Sequence, residues 1–147
     1  MSKTYEYIHM VFGTKNRMAT ISPGQKEHLI AYMYTLLKDK ECFVYRINAM
    51  PDHIHLFFDK SPKLLISDTA KFLKAASSKW MKDSGRFPSF QGWAREYFAG
   101  TISPWDKNMI IDYIAKQEFH HREMSLMEEM KRLYKSAGFS WHDNDFM

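Results

Sequence analysis

The sequence contains a single cysteine, Cys42, among its 147 residues. An intramolecular disulfide is therefore impossible, and because Cys42 lies in a strand-like segment, we expect a buried and inert thiol. No apolar run is long enough to cross a bilayer, and the N-terminal segment lacks the charged-then-apolar order of a signal peptide. These absences predict a cytoplasmic protein that has no membrane partner.

The composition is that of one globular domain. Hydrophobic residues make up 45% of the chain and aromatic residues 16%, which is enough for a substantial core. The length is too short for two domains of ordinary size. Internal repeats and low-complexity segments are also lacking. We therefore predict a single domain over residues 1–147.

Positive charge is concentrated in the first four-fifths of the chain. Residues 1–117 carry 17 Lys or Arg against 11 Asp or Glu, whereas residues 118–147 carry 4 against 6. A basic region of this kind favours a polyanionic partner, and the many aromatic residues are available for base stacking. Charge alone does not separate nucleic-acid-binding proteins from other proteins that have a basic isoelectric point.

Residue periodicity and capping signals predict an α+β fold. Strands are predicted over residues 4–14, 42–48, 53–59 and 95–103. Helices are predicted to begin near Ser22, Ser67, Pro104 and Ser125, with the third running over about 104–121 and a C-terminal tail over about 122–147. The order strand, helix, strand, strand, helix, strand is ferredoxin-like (RRM-like): an antiparallel sheet with helices on one face, here with appended C-terminal helices.

Two histidines lie two residues apart in the third predicted strand. Residues at this spacing point to the same face, so His53 and His55 can converge on one ion, while Ile54 and Leu56 point into the core. We therefore expect His53, His55 and Phe57 on an open face of the sheet. The alternative is a pair of incidental surface histidines, and two ligands are in any case incomplete for a catalytic metal.

The third predicted helix offers a further ligand and a nucleophile. Tyr113 and Gln117 are four residues apart and share a helix face with Ile110 and Ile114, which indicates that this face is turned toward protein. The alternative is a buried tyrosine beside a glutamine. Together with the two histidines, the pair predicts a hydroxyl nucleophile held one helical turn from an amide oxygen that can bind the same ion.

Four segments carry a resemblance to a known family. The strand MPDHIHLFF, the pair Tyr113-x-x-x-Gln117, the segment HMVFGTKNR and the segment GWAREYFAGTIS resemble, in order and spacing, the single-tyrosine transposases of the HUH superfamily. These enzymes serve the smallest bacterial insertion sequences and include REP-associated tyrosine transposases. In the family name, H is histidine and U is a bulky apolar residue, here His53, Ile54 and His55.

The resemblance implies a DNA strand transferase. It implies Mg²⁺ or Mn²⁺ held by His53, His55 and Gln117, and Tyr113 as the nucleophile. Single-stranded DNA would be cut at sites marked by a hairpin, leaving a 5′-phosphotyrosine link and a 3′-hydroxyl, and then rejoined. The family also implies a homodimer and a bacterial, nucleoid-associated location. In several of its members the tyrosine helix of one protomer completes the site of the other.

Basic side chains supply candidate phosphate contacts. These are Lys15, Arg17, Lys71, Lys74 and His121. Lys71 and Lys74 would otherwise form a solvated helix face, and His121 would otherwise be a further ligand or a cation at a helix C-terminus. For His9 we expect packing near the centre of the sheet.

Two other functions are compatible with parts of the pattern. A non-catalytic binder of hairpin DNA or RNA would have no reason to retain His53, His55, Tyr113 and Gln117 together. A metal-dependent hydrolase of small phosphoesters would need carboxylate ligands, which are lacking near the histidines in the sequence. The DNA transposase is therefore the leading prediction.

Overall fold

A computed structural model describes residues 1–122 and 124–147. A four-stranded antiparallel sheet has the strand order β2-β3-β1-β4. The strands are β1 (Tyr7–Thr14), β2 (Phe43–Met50), β3 (His53–Asp59) and β4 (Trp93–Thr101). The helices are α1 (Lys26–Asp39), α2 (Ile66–Ser84), α3 (Lys107–Ala115), α4 (Gln117–His120) and α5 (Leu126–Ser136). The element order and sheet confirm the predicted ferredoxin-like fold with appended C-terminal helices.

The larger core lies between one face of the sheet and helices α1 and α2. Alternate residues of β1 and β3 point into it because side chains along a strand alternate between faces. The fully buried side chains that β1 and β3 contribute are Ile8, Met10, Phe12, Ile54, Leu56 and Phe58. Cys42 is buried at the edge of this core, as expected.

The opposite face of the sheet is covered, which corrects the prediction of an open face. His53, His55 and Phe57 do point away from the larger core, but each is fully buried. Helices α3, α4 and α5 and the C-terminal segment lie over this face. A smaller core beneath them consists of Val11, Phe98, Leu126, Met130, Tyr134 and Phe146. The apolar residues of α5 require burial, and the sheet supplies the surface.

The C-terminal segment is held against the first strand. The ring of Phe146 lies so close to Gly13 that a Cβ at this position would be 2.8 Å from ring atom Cδ1. The amide of Asn16 donates to the carbonyl of Met147 at 2.8 Å.

None of the helices in the described part of the chain combines the length and apolar character that a bilayer span requires.

Candidate active site

Strand β3 brings the two histidines to a buried carboxylate. The Nε2 atoms of His53 and His55 lie 3.4 and 3.2 Å from Oε1 of Glu129, which projects from α5. All three side chains are almost completely buried. Because burial excludes water, these groups satisfy one another's hydrogen-bonding capacity. Glu129 is not among the predicted site residues, so the carboxylate is an unexpected neighbour of His53 and His55.

The second ring nitrogen, Nδ1, of His53 and of His55 has its own hydrogen-bond partner. Nδ1 of His53 lies 2.7 Å from the carboxylate of Asp52, and Nδ1 of His55 lies 2.8 Å from Nε2 of His9. Asp52 can only accept a hydrogen from His53, whereas either ring can donate in the contact between His9 and His55. A hydrogen on each Nδ1 would leave the lone pair of each Nε2 facing the site, which is the tautomer that a metal ligand requires. His9, for which packing was expected in preference to a contact with the site, therefore contacts the site directly.

Helices α3 and α4 bring Tyr113 and Gln117 to the other oxygen of Glu129. The Tyr113 hydroxyl donates to Oε2, and Gln117 Nε2 donates to the same atom at 3.0 Å. The amide oxygen of Gln117 lies 3.3 Å from Nε2 of His53. The four residues singled out in the sequence thus meet around one carboxylate, and all of them come from the same chain.

The helix that carries them is divided, which corrects the prediction of one helix over 104–121. After a short 3₁₀ turn at residues 104–106, α3 ends at Ala115, Lys116 leaves helical geometry, and α4 begins at Gln117. Nδ2 of Asn48, on the edge strand β2, donates to the Ile114 carbonyl at 2.9 Å. That carbonyl would otherwise accept the amide of residue 118. The tertiary hydrogen bond therefore compensates for the break.

Removing the Asn48 amide should loosen this helical break. Asn48→Ala leaves the Ile114 carbonyl without its partner and takes an acceptor away from Lys26, whose ammonium lies 3.2 Å from Asn48 Oδ1. We expect the free energy of unfolding to fall by about 1–3 kcal/mol, the cost of unpairing buried polar groups. Urea denaturation measures it. Asn108→Ala, at an exposed position of α3, is the control. A loss no larger than that of the control would contradict the role of Asn48.

Hydrogen bonding sets the charges within the cluster. Burial alone would raise the pKa of Glu129, but hydrogen bonds from His121, His53 and His55 hold it well below its usual range. Burial likewise disfavours the charged imidazole of His53, yet the hydrogen bonds to Asp52 and Glu129 outweigh it and raise the pKa to about 9. Glu129 is therefore an anion that faces a cation in the metal-free protein.

Burial has the larger effect at two further groups, His9 and Tyr113. It lowers the pKa of His9 to about 3, with His55 adding to the effect, so His9 is a neutral hydrogen-bond partner. Burial and the adjacent Glu129 raise the pKa of the Tyr113 hydroxyl above its usual value. In the metal-free protein Tyr113 is therefore a protonated donor rather than a phenolate.

The cluster has the donor set of a divalent-metal site. One ligand atom from each of His53, His55 and Glu129 lies within 4.8 Å of the others. Two neutral imidazoles and a carboxylate are common ligands of first-row divalent metals, and the Gln117 amide oxygen is directed to the same region. A cation at this position would take the place that the hydrogen on His53 Nε2 occupies in the metal-free protein.

The candidate phosphate contacts are distributed over distant parts of the surface. His121 reaches the cluster, where its Nε2 lies 3.0 Å from Glu129 Oε1. Lys15 is exposed beyond β1, whereas Arg17 donates to the carbonyls of Asp143 and Asp145 in the C-terminal segment. Two lysines of α2, Lys71 and Lys74, border a groove beside β4 on the side of the larger core. Only His121 therefore lies beside the histidine pair.

Glu129 could have been recognised from helical spacing. It lies three residues after Leu126 and five before Tyr134, on the stripe of α5 that the sheet buries. A carboxylate within an apolar stripe requires buried partners, so its position alone indicates a site. The helix start predicted near Ser125 is confirmed, since Ser125 Oγ accepts the Glu128 amide at 3.2 Å and α5 follows.

Solved structures with this fold include two transposases. A Deinococcus radiodurans R1 protein described as a transposase superposes with a TM-score of 0.62 at 24% identity, over 80% of this chain and 95% of that one. A REP-associated tyrosine transposase bound to a REP hairpin gives a TM-score of 0.60 at 15% identity, over 82% and 73% of the two chains. At these identities the likeness establishes the fold.

The sequence itself establishes the family. No functionally curated protein matches it significantly. The family model described as "Transposase IS200 like", however, matches residues 2–117, which contain both histidines, Tyr113 and Gln117. His121 and Glu129 lie beyond the matched region. The match covers most of the chain and confirms the resemblance stated from its motifs: this protein belongs to the IS200-like transposase family.

Proposed function

We propose that this protein cuts and rejoins single-stranded DNA by transient covalent attachment to Tyr113. One observation carries the proposal: the Tyr113 hydroxyl is hydrogen-bonded to the carboxylate that also contacts both histidines. A nucleophile, a candidate metal site and a proton acceptor are thereby combined in one buried cluster. This combination is what phosphoryl transfer to a side-chain hydroxyl requires.

The metal would be held by His53, His55 and Glu129, with Gln117 as a further ligand. We propose Mg²⁺ or Mn²⁺, and the two imidazoles favour Mn²⁺ because Mg²⁺ prefers oxygen ligands. When bound, the ion would withdraw charge from the scissile phosphate and so make the phosphorus more electrophilic. With the ion bound, Asp52 would accept the Nδ1 hydrogen of His53 and His9 would accept that of His55, which leaves each Nε2 lone pair for the ion.

Tyr113 would form the covalent bond. Its oxygen attacks the phosphorus, the bond from phosphorus to the 3′-oxygen breaks, and the DNA 5′-phosphate remains esterified to the tyrosine. Glu129 Oε2, the hydrogen-bond acceptor of the hydroxyl, shares the hydrogen as the new bond forms, and the departing 3′-oxygen takes up that proton. Attack by another 3′-hydroxyl reverses these steps. Because the ester conserves the energy of the phosphodiester, rejoining consumes no nucleotide cofactor.

The proposed substrate is single-stranded DNA that carries a hairpin. Binding of a REP hairpin by the similar transposase supports this choice. Lys15, Arg17, Lys71, Lys74 and His121 are proposed phosphate contacts. We further propose a homodimer, because two active sites related by symmetry suit the joining of two DNA ends. Association with the bacterial nucleoid would follow from the substrate.

Formation of a covalent adduct tests the proposed function. The protein is incubated with Mn²⁺ and single-stranded hairpin DNA taken from the sequences that flank its gene, and adducts are separated on a denaturing gel. We expect a shifted band with the wild-type protein, and none with Tyr113→Phe or with EDTA. Tyr34→Phe, at an exposed position of α1, should retain the band. Equal DNA binding with and without EDTA and no adduct would instead identify a non-catalytic hairpin binder.

A further inference from the structure

Four aromatic rings form a row on the sheet face that carries the histidines. The row consists of Phe43, Tyr45, Tyr7 and Tyr5, and its successive ring centroids are 4.9, 5.6 and 4.9 Å apart. Phe43 and Tyr5 are 64% and 56% exposed, and the two central tyrosines are partly exposed. The row therefore presents aromatic surface to solvent, although aromatic side chains usually seek burial.

The row is continuous with the active site. Phe57, which follows His55 by two residues on β3, forms its buried floor, with ring centroids 5.4 Å from Tyr45 and 6.2 Å from Tyr7. Residues at this spacing are about 6.5–7 Å apart along a strand. Phe57 therefore connects the middle of the row to the histidine pair.

Alternation along β2 explains how Tyr45 reaches the row. Phe43 and Tyr45 are two residues apart and therefore share a face of the strand. Val44 packs against the larger core, whereas Tyr45 lies against Phe57 on the other face. The pairing of β2 with β3 shifts between Val44 and Arg46, so that Tyr45 has no partner residue of its own.

A cation lies over the centre of the row. The ammonium of Lys107 is 4.8 Å from the ring centroid of Tyr45 and 5.7 Å from that of Tyr7. Lys107 is the first residue of α3 and precedes Tyr113 by six residues, or about 9 Å along the helix. Of the acidic groups nearby, Glu6 pairs with Lys60, whereas Asp59 accepts the Glu6 amide at 2.8 Å and keeps its charge. Lys107 is therefore the cation that can meet a phosphate above the two central rings.

We propose that this aromatic row binds the bases of single-stranded DNA next to the phosphodiester that Tyr113 attacks. The inference rests on the proposed function and adds a substrate-binding surface to it. Ring faces stack on any base, and the ammonium of Lys107 would pair with the backbone phosphate between stacked nucleotides. Partly exposed tyrosines suit this purpose, since their rings are apolar while their hydroxyls remain hydrated.

The surface continues past Tyr5 and Tyr7 into a crevice of about 760 Å³ that Trp105 borders on the other side. Trp105 is 92% exposed. Its ring is available for a further base beyond the row. Rings, cation and crevice together form a track that passes Phe57, two residues from His55, as expected for an extended strand rather than a compact ligand.

Equilibrium binding with stacking-deficient variants tests the inference. Phe43→Leu and Tyr45→Leu keep apolar bulk but remove the aromatic face. Fluorescence anisotropy in EDTA measures the Kd for a labelled hairpin with a single-stranded extension, and for the same DNA with abasic sites in the extension. We expect each variant to raise the Kd for the intact DNA about 5- to 150-fold, the range for one lost base–ring stack. On the abasic DNA the variants should bind like the wild type.

Phe139→Leu is the matched control, because Phe139 is 58% exposed and lies outside the row. An unchanged Kd for Phe43→Leu and Tyr45→Leu would overturn the inference, as would an equal loss on intact and abasic DNA. If light scattering shows that a variant has a different molecular mass while its Kd is unchanged, the row would instead mediate contact between copies of the chain. That result would also overturn the inference. Adduct formation by the wild-type protein is measured in parallel, so failure of the row and failure of the proposed function are distinguishable.

Discussion

Replacing Glu129 with glutamine is expected to slow DNA cleavage by about 100-fold, the usual scale for removing one essential polar group from a metal or transition-state site. The amide keeps the shape of the side chain but removes the negative charge that Oε1 presents to His53 and His55 and the proton acceptor that Oε2 presents to Tyr113. Single-turnover cleavage of hairpin DNA at saturating protein measures the rate.

The effect of Mn²⁺ on the melting temperature provides a second test of the role of Glu129. Mn²⁺ should raise the Tm of the wild-type protein, because a ligand that binds only the folded state stabilises it. The shift should be smaller for Glu129→Gln. Glu128→Gln is the control, since Glu128 is exposed at the start of the same helix and contacts Ser125 rather than the cluster. Faster cleavage by Glu129→Gln would show that the carboxylate obstructs the site, and would remove it from the proposed ligand set.

Mixing two inactive variants is expected to restore no activity. In this structure Tyr113 and both histidines meet within one chain, with the Tyr113 ring centroid 5.9 Å from that of His55. A protein carrying His53→Ala lacks a metal ligand, and one carrying Tyr113→Phe lacks the nucleophile. If each site is built from a single chain, every site in a mixed dimer retains a defect. The mixture should therefore form less than about 1% of the wild-type adduct, in keeping with the effect of losing an essential catalytic group.

The mixing experiment has a clear contrary result. If the tyrosine helix completed the partner's site, half of the sites in a mixed dimer would contain both defects and the other half none. Adduct would then reappear on mixing, at up to about a quarter of the wild-type amount by random assortment. The two proteins are mixed under conditions that allow subunit exchange, which size-exclusion chromatography with a tagged variant verifies.

The sequence predicted the fold and much of the cluster because both depend on local spacing. Strand alternation set His53 and His55 on one face, and helical spacing set Tyr113 near Gln117. The break after Ala115 could not be predicted this way, since its compensating hydrogen bond comes from Asn48, distant in the sequence. The burial of the histidine face likewise depends on where α5 docks, which is a tertiary event.

Glu129 was missed for a different reason. The motifs that carry the family resemblance end near Gln117, where the family match also ends, and Glu129 lies beyond them. Helical spacing within α5 was sufficient to place Glu129 on a buried stripe. The roles of Tyr113, the histidines and Gln117 stay predictions until the adduct and metal experiments are done.

The division of the interior into two unequal cores has a consequence for folding. The larger core involves both long helices, α1 and α2, whereas the smaller one joins the sheet to α5 and Phe146. Because few apolar side chains fasten α5, its amides should exchange with deuterium well before those of β1 and β3. Refolding should accordingly show the sheet protected first, with the carboxylate of Glu129 arriving last among the groups of the cluster.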